Sequence, residues 1–329
     1  MALFGLFGRR SKWDPPSLLS RLLASPLQWL VTNLYHAILF LRGRPFTVSK
    51  TRPKIRVVVL SDTHGQVPEG GIPDGDLLIH AGDLSSGDGS WEEVQAGLEW
   101  LGGLGHRVKI LVAGNHDGWF DETVRRRMEE EEGGSKGKGL EWHGVRYLRW
   151  EMAELEFEGG RKLNVFGAPG VPRCGDWKNA FQYDSGVQMW KGKVPDETDV
   201  LVTHTPPRFH RDLNLGCPGL LEEVWRVKPK LHVFGHVHWG HGREAVYYDE
   251  CQRVYESLMA RTGGGFIYDM IPSRAWVDAV AVVWYGLTSI VWKYAMLGPG
   301  TNNGGLMVNA AVMYGNTGKV RNPVTVVDL

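Results

Sequence analysis

Cysteine is scarce in this chain and unpatterned: Cys174, Cys217 and Cys251 show neither paired nor Cys-x-x-Cys spacing. That argues against a disulfide framework and a zinc ribbon, and it fits a reducing, cytoplasmic setting. Net charge is missing too, because 37 Lys and Arg balance 37 Asp and Glu. A neutral total lacks the electrostatic footprint of a DNA or RNA binder, so no nucleic-acid partner is indicated. No internal repeat and no low-complexity tract is visible, and no cleavable signal peptide is evident. In MALFGLFGRRSK the basic pair follows a very short apolar stretch.

What is present is a rhythm. A chain of 329 residues accommodates one large α/β domain with insertions, or two modest domains. Short apolar runs recur at Arg56–Ser61, Asp76–His80, Val108–Ala113, Leu163–Gly167, Val200–Thr203 and Leu231–Gly235. Consecutive apolar positions over four to six residues suit strands buried on both faces. Helical spacing lies between them at Trp91–Leu101, with Ser90 as N-cap, and at Leu220–Val227. Two final strands are expected at Leu306–Tyr314 and Val324–Leu329, around a turn at Gly315–Gly318. Alternating strands and helices predict an α/β class with sheets covered by helices.

The chemistry sits at the ends of those runs. The first leads into Asp62-Thr63-His64, the second into Ala81-Gly82-Asp83, and the third into Gly114-Asn115-His116-Asp117. The fifth precedes His204, and the sixth precedes His236-Val237-His238. Ligand sites of open α/β sheets lie at the carboxyl ends of strands, so these side chains are expected to converge. In the His-x-His pair, alternate residues of an extended segment point the same way and can reach neighbouring sites. Taken singly, each piece reads as an ordinary turn. The order of all five does not.

That ordered set resembles the calcineurin-like metallophosphoesterase superfamily. PDGDLLIHAGDLSSGDG, KILVAGNHD, THTPP and PKLHVFGHVHWGHG are similar to the metallophosphoesterase-domain-containing family, related to the class III cyclic nucleotide phosphodiesterases. Val308-Asn309-Ala310-Ala311 and NPVTVVDL look like that family's last strands. The resemblance covers residues 54–240 and 306–329. It implies a four-layer α/β/β/α sandwich with two metal ions at the strand ends. Asp62, His64, Asp83 and His238 would hold one ion, and Asp83, Asn115, His204 and His236 the other, with Asp83 bridging.

The resemblance also implies a reaction, in-line attack of a metal-bridging hydroxide on a phosphate ester. Two divalent ions about 3.5–4 Å apart clamp the attacking and leaving oxygens of such a displacement. Carboxylate, amide and imidazole ligands without thiolate suit Mn, Fe or Zn without choosing among them. His116 is the candidate to bind a phosphate oxygen or protonate the leaving group, with Asp117 expected to orient it and raise its pKa. The expected substrate is a small-molecule phosphodiester, a cyclic nucleotide among the candidates. The rival readings are a catalytically silent binding module on the same fold and an unrelated His/Asp hydrolase. Thr205 stands where relatives often carry Gly, which bears on substrate preference.

Other segments fall outside the motifs. Asp176-Trp177 and Phe181 resemble an aromatic segment near the family's site entrance, with core packing as the alternative. His106, His143, His210, His232 and His241 read as structural or surface residues. Arg125–Gly139 reads as a solvated helix end and a loop. Residues 1–53 form an apolar, helical extension of a metallophosphoesterase domain at 54–329, which carries an insertion at about 240–303. The extension contains Leu22–Leu41, 20 residues without formal charge, and the insertion contains the amphipathic Cys251–Arg261 and the apolar Ala275–Leu297. Tryptophan and tyrosine crowd the last of these, so peripheral membrane association of a cytoplasmic protein is expected through the two apolar segments, the alternative being that they pack together as a helical appendage on the domain.

Overall fold

Val57, Val58, Val59 and Leu60 are all buried, and a strand with no solvent face needs cover on both sides. The computed structural model, describing residues 11–48, 51–87, 89–132, 138–184, 186–261, 265–296 and 304–329, supplies that cover with two sheets and flanking helices. The strands are β1 (Arg56–Leu60), β2 (Leu77–His80), β3 (Val108–Leu111), β4 (Val145–Tyr147), β5 (Glu151–Phe157), β6 (Arg161–Ala168) and β7 (Val171–Pro172). They continue with β8 (Gln182–Tyr183), β9 (Val200–Thr203), β10 (Leu231–Phe234), β11 (Gly242–Val246), β12 (Gly305–Asn309) and β13 (Thr325–Asp328).

One sheet has the order β13-β1-β2-β3-β4, the other β11-β12-β10-β9-β6-β5. The β1–β2, β2–β3 and β3–β4 pairs are parallel, and β13 closes the edge antiparallel to β1. In the second sheet β10–β9 and β9–β6 are parallel, with β5 antiparallel at the rim. The result is an α/β sandwich. Parallel pairing matters for the site because it delivers successive strand ends to the same edge.

The helix Trp91–Gly103 is capped by Ser90, whose hydroxyl accepts the Glu93 N–H, and it buries Val94, Leu98 and Leu101. Those residues share a core with Val58, Leu60, Leu78 and Leu111 of the first sheet. The helix Pro218–Val227 buries Leu220, Leu221 and Val224, and Cys217 Sγ accepts the Leu220 N–H at its start. All six runs expected to be strands are strands. β4, β5, β7, β8 and β11 went unread. Of these, β5 shows the alternating burial of an edge strand that the search for continuous apolar runs passes over.

The chain divides into two compact units, Met1–Thr47 with Ala245–Leu306, and Val48–Glu244 with Met307–Leu329. The N-terminal segment and the insertion thus form one unit together. Its core joins Leu27, Val31, Tyr35 and Ile38 to Tyr255, Leu258, Ala279 and Val282. Leu22–Leu41 is not one helix. Leu18–Ala24 ends at Ser25, and Pro26–Arg42 begins anew with Ser25 as N-cap and Pro26 in its first turn, a combination that favours a helix start. The helices Glu250–Met259 and Arg274–Tyr294 lie where the sequence predicts helices; Leu297 and residues 133–137 of the charge run lie outside the described residues.

Candidate metal centre

Four residues of the strand-end motifs are held in the left-handed region: Asp62 at φ 56°, His64 at 46°, Asp83 at 54° and His236 at 65°. For a non-glycine residue each such conformation costs on the order of 1 kcal/mol, and it persists only where the surroundings fix it. Here the surroundings do. The Asp62 N–H donates to the Gly82 carbonyl at 2.9 Å and the His64 N–H to the Asp83 carbonyl at 3.0 Å, which ties the first two strand ends together. The His236 N–H donates to both Asp62 carboxylate oxygens, at 3.0 and 3.1 Å, tying in the last.

Glycines make this closeness possible. A Cβ on Gly82 would collide with the His204 ring, on Gly114 with the Asp83 carboxylate, and on Gly235 with Asp62 and Ser61. Three of the five motifs therefore carry a glycine where a ligand-type side chain passes the backbone.

The side chains converge in three overlapping groups: Asp62, His64 and His238; His64, Asp83 and His116; and Asp83, His204 and His236. Within each group the ligand atoms lie within 4.8 Å of one another. Asp83 Oδ2 stands 3.3 Å from His204 Nε2 and 3.7 Å from His64 Nε2. His238 Nε2 stands 3.3 Å from Asp62 Oδ1 and 3.4 Å from His64 Nε2. Asn115 Oδ1 lies 3.1 Å from His204 Nε2, while its amide N–H donates to Asn179 Oδ1 at 2.9 Å, which fixes the oxygen toward the cluster.

Two of the imidazoles are oriented from behind. His204 Nδ1 donates to the Ala81 carbonyl at 2.9 Å, and His238 Nδ1 donates to the Gly315 carbonyl at 2.8 Å. A carbonyl only accepts, so Nδ1 carries a proton, and Nε2 is the atom turned toward the carboxylates, where it holds a proton or would give its lone pair to a metal. This is the second-sphere arrangement of metal-ligating histidines. Lone-pair atoms packed this closely need positive charge among them. Burial opposes charge on His204, but Asp83 and Asp62 outweigh it and push its pKa up to about 9. Burial likewise works against ionised Asp62, and His238 and His204 hold it down at about 2. The donor set thus fits divalent cations, which would take the place of those protons.

The structure corrects one expectation. Asp117 does not orient His116. Its Oδ1 accepts the Ser85 N–H at 2.9 Å and its Oδ2 the Gly114 N–H at 2.7 Å, so both oxygens are engaged by backbone. Burial and the nearby Asp83 charge push its pKa up to about 6. The carbonyl of Gly87, 3.2 Å from His116 Nδ1, takes the orienting position instead. The His116 ring stands 5.0 Å from that of His64.

Several contributors carried no signal in the sequence. Asn179 reaches Asn115, and the Ala180 N–H donates to the Asn115 carbonyl at 2.8 Å. The segment read for its aromatics therefore meets the site through Asn179, while Trp177 and Phe181 pack with Val124 and Met128. Buried His80, at the end of β2, lies 3.0 Å from Thr63 Oγ1, and burial pushes its pKa down to about 3. His232 is paired with Thr203 at 2.9 Å in the same way. His210 is buried against Glu244 at 2.8 Å, and His106 lies 2.9 Å from the Pro73 carbonyl, which agrees with structural roles.

The family model for calcineurin-like phosphoesterases matches residues 55–240, which include every residue of the cluster. The chain belongs to that family. A protein of Emericella nidulans named probable rhamnogalacturonate lyase C is 40% identical over 256 residues, 76% of this chain and 23% of that one. A UPF0046 protein of Caenorhabditis elegans is 36% identical over 199 residues, 58% of this chain and 66% of its own length. Metallophosphoesterase domain-containing protein 1 of Homo sapiens is 34% identical over 215 residues, 60% of this chain and 65% of its own. The chain thus spans less than a quarter of the first of these relatives and about two thirds of the other two.

Proposed function

We propose that this calcineurin-like phosphoesterase is an active hydrolase of a small phosphodiester, a cyclic nucleotide among the candidates, working with two divalent metal ions. The observation that carries the reading is Asp83, whose single carboxylate faces both His204 and His64. Asp62, His64, Asp83 and His238 would hold one ion; Asp83, Asn115, His204 and His236 would hold the second. When bound, such a pair supplies Lewis acidity toward phosphoryl oxygens and an activated water. Oxygen and imidazole donors without thiolate suit Mn, Fe or Zn.

The chain's own residues supply position. Against the cost of burial, Asp62 is kept ionised by His238 and His204, and the His236 N–H, shared between its two oxygens, aims it. His204 and His238 are pinned by the Ala81 and Gly315 carbonyls, so no reorientation is needed when the substrate arrives. His116, anchored through Nδ1 at Gly87, would in its doubly protonated form offer the Nε2 proton as a hydrogen bond to a phosphate oxygen or give it to the leaving alkoxide, the ring then resting as the neutral Nδ1–H tautomer.

A silent binding module on the same fold is the second reading, and the intact donor set favours turnover over it. The lyase in the Emericella protein's name belongs to a protein of which this chain matches 23%. The test is metal-stripped protein reloaded with Mn, Zn or Fe and assayed on bis-nitrophenyl phosphate and nitrophenyl phosphate. Metal-dependent turnover with preference for the diester is expected. Stoichiometric metal without turnover of either ester, or of a panel of cyclic nucleotides, would leave the binding module.

A further inference from the structure

The helices Pro26–Arg42 and Arg274–Tyr294 run side by side in the same direction. At one end the Leu27 N–H donates to Asp269 Oδ2 at 3.0 Å, and Asp269 also accepts the Ser25 hydroxyl at 2.6 Å. In the middle Gly286 lies so close to Ile38 that a Cβ would collide with it. At the far end the Tyr294 hydroxyl donates to the Leu41 carbonyl at 2.8 Å and the Lys293 ammonium to the Arg42 carbonyl. The two apolar segments therefore pack together, burying Ala279, Val282 and Gly286 of the second helix.

That packing uses only one side. Val277, Val280, Trp284, Leu287 and Val291, spaced three and four apart, form a stripe on the same helix and are 55–65% exposed. Next to the start of that helix, Phe266, Ile267, Tyr268, Met270 and Ile271 are all exposed, Ile267 at 80%. Leu30, Leu34, Phe40 and Leu41 add an exposed apolar side to the partner helix. Among the described residues, the large exposed hydrophobics outside this unit are Val67, Trp142, Val187 and Tyr314. Soluble monomers seldom leave so much contiguous apolar surface in water.

We infer that this helical unit docks on an anionic lipid bilayer as a monotopic surface, with the stripe and the Phe266–Ile271 tip in the acyl boundary. Three observations select a bilayer over a second copy of the chain. A 3-4 stripe alone would serve as a helix–helix seam, but the apolar exposure runs past it onto the tip and the neighbouring helix, which a seam would leave wet. Exposed aromatics run the length of the long helix and its approach, at Tyr268, Trp276, Trp284, Tyr285, Trp292 and Tyr294, and a helix lying in the plane of the interface holds all of them near the headgroups that tryptophan and tyrosine favour. Charge is the third. Across segments 18–44 and 265–296 the acids are Asp269, buried by its caps, and Asp278, paired with Arg261 at 2.7 Å, whereas Arg21, Arg44 and Arg274 are exposed. The helix Arg274–Tyr294 is long and apolar enough to cross a membrane. However, Glu250–Met259, packed in the same core, carries the exposed Arg253–Glu250 ion pair, and that side of the unit needs water.

The inference is independent of the phosphoesterase reading, and one experiment keeps the two apart. Full-length protein is floated with phosphatidylcholine vesicles and with vesicles containing phosphatidylserine, while diester hydrolysis is assayed in parallel. Flotation with both is expected, tighter by about fivefold or more on the anionic vesicles. The double variant Val280→Glu/Leu287→Glu, and separately Ile267→Glu, should lose at least about tenfold in vesicle partitioning and keep the wild-type turnover of a soluble diester. Protein that stays monodisperse in buffer and floats with neither vesicle overturns the proposal. So does a dimer that the double variant dissociates, or vesicle binding that salt abolishes and the variants leave unchanged.

Discussion

Asp83 Oδ1 accepts the backbone N–H of His116 at 2.9 Å, while Oδ2 of the same carboxylate faces His204 and His64. The residue proposed to bridge the two ions therefore also holds the loop that carries the proposed acid. Asp83→Ala should lose bound metal and activity together, with turnover down by at least about 10³-fold, on the scale of losing a key electrostatic group. Asp83→Asn keeps an acceptor for the His116 N–H and should keep its loop and one ion. Elemental analysis of both variants is the check, and full metal occupancy in Asp83→Ala would contradict the bridging role.

Asp117 and His116 should separate cleanly. His116→Ala should keep metal content and fold and lose about 10²–10⁴-fold in kcat, less for esters with a good leaving group. Asp117→Asn places an amide N–H against a backbone N–H at Ser85 or Gly114, which leaves a buried donor unmatched and costs about 1–3 kcal/mol of stability. Its effect should appear first in the urea midpoint. If Asp117→Asn left stability unchanged and flattened the leaving-group dependence as His116→Ala does, Asp117 would be acting through His116 after all.

Gly235 tests the close approach at the centre. Gly235→Ala puts a methyl into Asp62 and Ser61, both buried and both bonded to the neighbouring strand end, so the strand ends must part. Metal affinity should fall by at least about tenfold, in line with loss of outer-sphere support. Gly70→Ala, where a Cβ meets nothing within 4 Å, is the matched control and should be neutral. Equal behaviour of the two would mean that the site tolerates the displacement.

How much of this the sequence carried depends on distance along the chain. Asp62, His64, Asp83, Asn115, His204, His236 and His238 each follow closely on a buried strand, so parallel pairing brings them to one edge within each of the two sheets, and the packing of the sheets joins the edges. The supports did not show, because Gly87, Asn179 and Gly315 lie in loops whose approach is a tertiary fact. Sequence adjacency misled at Asp117: the turn that presents His116 sends the next side chain into the interior, toward Gly114 and Ser85. The same limit applies to the two apolar segments, since nothing local says that Gly286 will meet Ile38 across 248 positions of chain.

Glu223 gives a pH test away from the cluster. Burial would raise its pKa, but the Arg226 guanidinium and the N–H groups of Gly192 and Val194 outweigh that and hold it below the usual 4.5. The folded state therefore binds this proton more weakly than the unfolded chain. The stabilisation is complete above about pH 4.5 and is lost as pH falls through the lower folded value. Glu223→Gln removes the charge and turns an amide N–H toward one of the two backbone donors. It should cost about 1–3 kcal/mol near neutral pH. Urea midpoints of wild type and variant, taken from about pH 7 down to about pH 3, should draw together at the acid end as the wild-type carboxylate takes up its proton. A gap that stays constant over that range would assign the loss to packing of the 192–194 turn against the helix Pro218–Val227, with no part played by the charge.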